Sequence, residues 1–298
     1  MRLLMTGAGG FVGGSVLAQA GPEWEVHAVS RGPALVARAN VHWHSLDPLD
    51  FASLESAVRA IGPDVILHAA AIADIDFCEA HQNEARRVNV EWTRRMAALA
   101  AERGARFVYL STDNAFDGEH GPYSEEDTPV SANFYGRTKV AGEEIASALD
   151  TPWVVARVSI VMGLPLVGAG NSFLSRMLAK WERGEAVGVP PVEIRSPVDV
   201  VTLGRALLEL AGNAFTGFIH LSGNDILNRC DLVRRIAARL GYPEELVVPN
   251  DPTDLPGRAP RPRDVSLLNS KARRVLDTPM LGVDDGLELV LATRRSAS

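Results

Sequence analysis

The amino-acid sequence predicts an α/β fold built on a doubly wound parallel sheet, with a smaller mixed α/β part towards the carboxyl terminus, and three observations carry that expectation. Over roughly the first 160 residues, short apolar runs suited to buried strands alternate with longer amphipathic runs, the β-α-β order that calls for parallel pairing. A glycine-rich turn, GAGGFVGG, joins the first strand to a helix without any intervening loop. Finally, Gly7, Arg31, Ala69 to Ala71 and the pair Ser111-Thr112 all fall at carboxyl ends of predicted strands, the edge at which such sheets bind ligands.

Bulk composition narrows the classes of function. A chain of 298 residues is long enough for one large core or for a main domain with a companion. Its content of 46% hydrophobic and 22% charged residues is that of a soluble globular protein. No apolar run approaches the ~18 residues of a membrane span. Met1-Arg2 passes directly into a strand, with no basic-then-apolar leader, so the expected compartment is the cytoplasm, without a membrane partner. A net charge of −7, with basic residues spread along the chain, argues against nucleic acid. Two cysteines, Cys78 and Cys230, exclude a disulfide framework and a cysteine zinc site, and each reads as a small buried apolar residue. The seven histidines lack metal-ligand spacing, so no metal is expected.

Arg2 to Thr6 (RLLMT) is the first strand. Gly7, Gly10 and Gly13 follow at G-x-x-G-x-x-G spacing, with SVLAQA continuing as helix. Gly7 permits the tight turn, Gly10 lets the backbone approach a pyrophosphate met by the helix amino end, and Gly13 allows helix and strand to pack closely. This is the Rossmann-type arrangement for a dinucleotide. Glu25 to Val29 is the second strand and ends in Ser30-Arg31-Gly32. An acid at that point would bind the ribose 2′-hydroxyl of NAD, whereas an arginine pairs with the 2′-phosphate of NADP. Arg31 therefore favours NADP, with NAD as the alternative, although arginine is also the default base here: of thirty basic residues only Lys139, Lys180 and Lys271 are lysine.

Val41 to Leu46 gives a third strand leading to Asp47, which is expected beside the cofactor. Phe51 to Ile61 is an amphipathic helix stopped by Gly62-Pro63. Asp64 to His68 is an apolar strand of the buried parallel kind, and Ala69, Ala70 and Ala71 after it leave room for a flat ligand. Residues 80 to 103 read as one long helix, with Ala85, Val88, Trp92, Met96 and Leu99 on its buried face. Asn89, at the edge of that face, reads as a hydrogen-bonded core residue, with catalysis as the alternative.

The stretch from Phe107 to Glu143 organises the rest. A strand from Arg106 to Leu110 ends in Ser111-Thr112, and a later helix carries Tyr135 and Lys139, one turn apart on one face. Hydroxyls at a strand end, facing a phenol and an ammonium, form a proton-handling site. Trp153 to Val158 is a further strand. Beyond residue 160 the pattern loosens. Asn171 to Glu182, Asp199 to Ala211 and Asn228 to Leu240 are expected as helices, and Gly217 to Leu221 as a strand. In the run LPGRAPRPRD (255 to 264), Arg258, Arg261 and Arg263 are candidates for an anionic substrate.

TGAGGFVG, the strand-end STD and the YGRTK helix together resemble the extended short-chain dehydrogenase/reductase family. STDNAFDG, PYSEEDTPVSANFYGRTKVAGE and the later RPRD and SLLNSK are most similar to its dTDP-4-dehydrorhamnose reductase group. The resemblance is specific over residues 1 to 160 and thin over the carboxyl third. It implies an NADPH-dependent oxidoreductase that reduces a 4-keto sugar nucleotide. Tyr135 would be the general acid, Lys139 would lower its pKa and hold the nicotinamide ribose, and Thr112 would orient the carbonyl, with Ser111 as second choice. Gly7, Gly10, Phe11, Val12 and Gly13 would line the pyrophosphate, while Ser111, Asp113, Asn114, Asn171 and Arg261 would face the substrate. The implied organisation is a dinucleotide-binding domain over 1–160, with 198–221 returning to it, and a substrate-binding domain over 161–197 and 222–298. Asn114-Ala115 departs from the Tyr-Val usual in that group. The absence of a glutamate after Asp113 disfavours the dehydration carried out by related enzymes. An epimerase, or an NADP-binding regulatory subunit of another enzyme, remains the alternative, and a homodimer remains open.

Overall fold

Strands that are apolar on both faces need cover on both sides, and alternating helices supply it in the computed structural model, which describes residues 1–297 apart from 48, 169 and 251–256. The first half runs β1 (Arg2–Thr6), α1 (Phe11–Gln19), β2 (Glu25–Ser30), β3 (Val41–Ser45), α2 (Phe51–Ile61), β4 (Val65–His68), α3 (Ile75–Ala80), α4 (Gln82–Arg86), α5 (Trp92–Arg103), β5 (Arg106–Thr112), α6 (Phe134–Ser147) and β6 (Trp153–Val158). The second half adds β7 (Val161–Met162), α7 (Phe173–Trp181), β8 (Val187–Val189), β9 (Ile194–Arg195), β10 (Val198–Asp199), α8 (Val200–Gly212), β11 (Gly217–Leu221), β12 (Leu227–Asn228), α9 (Arg229–Arg239), β13 (Val247–Pro249), α10 (Ala272–Val275) and α11 (Val283–Ala297).

Seven strands form one sheet in the order β11-β6-β5-β4-β1-β2-β3, with every pairing parallel. The order reverses between β1 and β4, so the crevice beyond their carboxyl ends is the topological switch point. Successive side chains leave a strand on opposite faces. Leu3 and Met5 of β1 therefore join Val16 and Leu17 of α1 and Leu203 and Leu207 of α8. Leu4, between them, packs with Leu54 of α2, Met96 of α5 and Phe107 of β5. A one-residue slip would exchange these faces, and each large apolar side chain so misplaced would forfeit ~1.5–3 kcal/mol of burial. A further core gathers Leu174 and Trp181 of α7, Val187 of β8, Ile236 of α9 and Val290 of α11.

Capping explains most helix boundaries. Asp50 accepts from Ser53 N–H ahead of α2, Asp199 from Val201 and Thr202 ahead of α8, and Asn228 from Asp231 ahead of α9. Ser172 caps α7, so that helix starts at Phe173 instead of Asn171. The single helix expected over 80–103 is interrupted. His81 adopts φ −124°, ψ 55° and ends α3, and α4 passes through a π-turn at Arg87–Glu91 before α5 begins. Among the described residues no helix is long and apolar enough to cross a membrane.

Candidate functional site

The glycine turn opens a cleft of about 490 Å³ at the switch point, lined by Gly7, Gly10, Arg31, Asp47 and Ala69 to Ala71, among others. Gly7 has φ 74°, and a side chain there would put its Cβ 2.8 Å from Ala70 N, so only glycine serves. At Gly10 a Cβ would meet nothing nearer than the Gly7 carbonyl at 3.1 Å, which leaves this position open to the cleft. A Cβ at Gly13 would lie 2.2 Å from that same carbonyl. Gly13 is therefore a packing residue beneath the turn, and it is not among the residues that line the cleft. Phe11 and Val12 also turn their side chains into the cores and do not line the cleft; the start of α1, beside Gly10, has no side-chain cap. Arg31 is exposed at the rim.

A directed chain of hydrogen bonds sets the opposite wall. Ala70 N–H donates to the Thr6 hydroxyl, which lies 2.8 Å from His68 Nδ1; His68 Nε2 is 3.0 Å from the Thr93 hydroxyl, which itself donates to the Asn89 carbonyl. Because the Thr93 hydroxyl gives its proton to Asn89, His68 Nε2 carries a proton, and in the neutral ring Nδ1 accepts from Thr6. Burial, aided by the Lys139 charge, pushes the His68 pKa down to about 3 and keeps the ring neutral. Asn89 lies in the π-turn. Its amide accepts from Ile72 N–H at 2.8 Å and donates to the Ile72 carbonyl and to the Thr138 hydroxyl, each at 3.0 Å. The residue is a clamp between the loop after β4 and helix α6, in keeping with the core reading of it.

Helix α6 starts at an Asn133 cap that accepts from Gly136 N–H and donates to the Pro260 carbonyl and to Asn114 Oδ1. Tyr135, one residue into the helix, packs against the buried cluster of Cys78, Ala85 and Phe134, as does Ile72, which also lines the cleft. Tyr135 itself is not among the residues that line the cleft. Burial raises its pKa, a hydrogen bond from Thr112 opposes that, and Asp113 and Cys78 raise it further. Lys139 is buried with its ammonium 4.1 Å above the Tyr109 ring, and its pKa falls to about 7 through burial, against the pull of Glu143. The Lys139 charge, expected to act on the phenol, is not among the influences on Tyr135.

Two ionic groups were not foreseen in the sequence. Glu143 and Arg157 form a fully buried pair at 2.7 Å, and Ser111 Oγ donates to Glu143 Oε1 at 2.5 Å. Ser111 therefore faces the core under α6 while Thr112 faces the site, as strand alternation demands, and Ser111 is corrected from a substrate contact to a support. The second group surrounds Glu193, whose carboxylate meets Arg195 at 3.4 Å, Arg229 at 3.2 Å and Arg258 at 3.3 Å. Arg195 also lies 3.9 Å from Asp113 and donates to the carbonyls of Pro262 and Arg263.

Other expected substrate contacts fare unevenly. Asp113 is buried, held by Ser159 at 3.2 Å and by Asn114 at 2.8 Å, and burial raises its pKa. Its carboxylate points inward, which corrects the substrate assignment, whereas Asn114 stays half-buried beside it. Asn171 is exposed and bonded to Arg176, away from Thr112 and Tyr135 in the bonding pattern. Arg261 pairs with Asp76 at 2.9 Å, tying its loop to α3. Of the arginine-rich run, 255 and 256 lie outside the described residues, Arg258 belongs to the Glu193 cluster, and Arg263 is exposed. Both cysteines are buried and free, as read, and burial pushes the Cys78 thiol up to about 11.

Comparison with known proteins finds one family and relatives of two kinds. The family model described as the RmlD substrate binding domain matches residues 1–295. A dTDP-4-dehydrorhamnose reductase of Mycobacterium tuberculosis is 30% identical over 267 residues, 87% of this chain and 82% of its own. A methionine adenosyltransferase 2 subunit beta of Bos taurus is also 30% identical, over 89% of this chain and 80% of its own. Among solved structures, a dTDP-4-dehydrorhamnose reductase from Bacillus anthracis in complex with NADP superposes with TM-score 0.85 at 25% identity, covering 98% of each chain.

Proposed function

The chain belongs to the RmlD substrate binding domain family, and from that premise we propose that it is an NADPH-dependent oxidoreductase of the short-chain dehydrogenase/reductase type that reduces a 4-keto sugar nucleotide. One observation carries the reading: Ile72, which lines the cleft that the glycine turn opens, and Tyr135, with the Thr112 hydroxyl beside its phenol, pack against the same cluster of Cys78, Ala85 and Phe134. The cleft fits a dinucleotide. A Cβ at Gly7 would strike the Ala69–Ala70 backbone that lines it, the start of α1 has no side-chain cap on its N–H donors, and Arg31 stands at the rim with no ion-pair partner among the described residues. The solved relative bound to NADP supports the same assignment, with NAD as the alternative.

When bound, the dinucleotide supplies the hydride. Tyr135 gives its proton to the substrate carbonyl oxygen, and a phenol held above its ordinary pKa stays protonated until that oxygen gains charge. Thr112 orients the carbonyl. Lys139, with its proton near balance at neutral pH, holds the nicotinamide ribose and becomes the phenol's cationic neighbour as the site fills. Residues 1–160 with 198–221 hold the dinucleotide in this reading, while 161–197 and 222–298 hold the sugar nucleotide. Pairing of β11 with β6 supports the first grouping, and the separate core of α7, α9 and α11 supports the second. The cationic surroundings of Glu193, beside Asp113, suit a nucleotide's phosphates.

The test is Tyr135→Phe, assayed with dTDP-4-dehydrorhamnose and NADPH. Turnover falls by ~10²–10⁴-fold, the usual worth of a general acid, while NADPH binding followed by nicotinamide fluorescence is retained. Unchanged turnover would refute the role. Stoichiometric oxidation of NADPH separates reduction from epimerisation, which consumes none. A second reading is favoured by the relative named as a methionine adenosyltransferase subunit: a regulatory subunit that holds NADP(H) without turnover. Stoichiometric capture of an adenosyltransferase partner, with no oxidation of NADPH by any keto sugar, would select it.

A further inference from the structure

We propose that Glu25 and His27 of β2 and His42 of β3 form a binding site for a divalent transition-metal ion of the zinc class, on the open edge of the sheet and separate from the cleft. No sequence motif announces this site, because its spacing is made by cross-strand register. Glu25 and His27 are two apart on β2 and share a face, and the parallel pairing sets His42 directly opposite His27. One potential ligand atom from each of the three residues lies within 4.8 Å of the others.

The separations suit a small tetrahedral ion. Ligands held ~2.0–2.2 Å from a common centre lie about 3.3–3.6 Å from one another. Glu25 Oε1 is 3.3 Å from His27 Nε2 and 3.8 Å from His42 Nε2, so small side-chain adjustments close the site. Glu25 and His42 are about half exposed, which leaves a fourth position to water. Two imidazoles and one carboxylate form a set that zinc, cobalt(II) or nickel accepts and that magnesium or calcium, which prefer all-oxygen ligands, does not favour.

A supporting residue is also in place. His27 Nδ1 lies 3.0 Å from His44 Nε2, so a proton on Nδ1 can be donated to His44 while Nε2 faces the ion. Rings of His27 and His44 stack at 5.3 Å, which limits rotation. Arg2 opposes the site mildly: its Nε is 3.6 Å from Glu25 Oε2, the oxygen that the ion does not need. An ion here would fasten the edge strand β3 to β2 just before β3 leads into Leu46 and Asp47 at the cleft rim.

The experiment uses the untagged full-length chain, dialysed against zinc chloride and analysed for bound metal, with cobalt(II) as the optical probe. One zinc per chain is expected, together with the visible absorption of four-coordinate cobalt(II) and a rise in melting temperature. His42→Ala, at an exposed position, removes the bound metal and the absorption, and His44→Phe weakens binding by ~10–100-fold. Circular dichroism and NADPH binding report that each variant is folded. Equal metal content in the wild type and His42→Ala, or none in the wild type, overturns the proposal.

Discussion

The dinucleotide cleft and the Glu193 cluster lie at the same end of the molecule, yet they are built by opposite means. One wall of the cleft is made of backbone, the turn at 7–10 and the loop at 69–71, where glycine and alanine leave room. The cluster is made of side chains, with Asp113, Glu193, Arg195, Arg229 and Arg258 arriving from well-separated segments. A backbone cradle fails by acquiring an atom, whereas a buried charge cluster fails by losing one. Substitutions of opposite kinds therefore probe the two regions.

The largest stability effect is expected at the cluster. Glu193→Leu leaves three guanidinium groups buried or half-buried without their shared anion. Breaking a buried ion pair from one side costs about 3–5 kcal/mol, to be read from urea denaturation of the ligand-free chain. Adding Arg258→Leu should restore part of that loss. If Glu193→Leu is neutral, the three arginines are adequately solvated and the cluster is a surface feature.

A smaller loss is expected at the cradle. Gly13→Ala drives a methyl group to within 2.2 Å of the Gly7 carbonyl, which must move. Overpacking of this kind costs ~1–3 kcal/mol, and because the carbonyl belongs to the turn itself, NADPH affinity should fall along with stability. Gly104→Ala is the control. Its backbone, unlike that of Gly13, is strained for alanine, at φ 66°, but nothing lies within 4 Å and no cleft residue is displaced, so stability falls while NADPH binding should be unaffected.

The same contrast explains what could be read in the sequence. Gly7, Gly10, Arg31, Asp47 and Ala69 to Ala71 were legible because a strand–turn–helix fixes its own geometry over a few residues, and all of them line the cleft. The choice between Ser111 and Thr112 was legible in principle, since adjacent strand residues face opposite ways, but it needed the knowledge of which face α6 covers. Glu143 with Arg157, and Glu193 with its arginines, could not be paired from one sequence, because nothing local to either partner marks the other. The π-turn at Asn89 was hidden for a related reason: an extra residue in a helical turn leaves the apolar spacing almost intact while it rotates one side chain towards Ile72. The histidines of β2 and β3 were judged by spacing along the chain, whereas their neighbours lie across the sheet.

Arg31 is where the two building methods meet, a cationic side chain at the rim of the backbone cradle, and it gives the smallest and sharpest test. The 2′-phosphate distinguishes NADPH from NADH, and no acid at the end of β2 competes for the ribose. A guanidinium at the exposed rim makes a charge-assisted bond to that phosphate at little desolvation cost, so Arg31→Ala should weaken NADPH by roughly tenfold. NADH makes no such contact and should bind as before. Because the interaction is exposed, its contribution should shrink as salt rises, and the preference for NADPH over NADH should narrow in the wild type but not in the variant. Equal weakening of both dinucleotides would mean that Arg31 supports the loop at residues 30–35 instead of reading the phosphate.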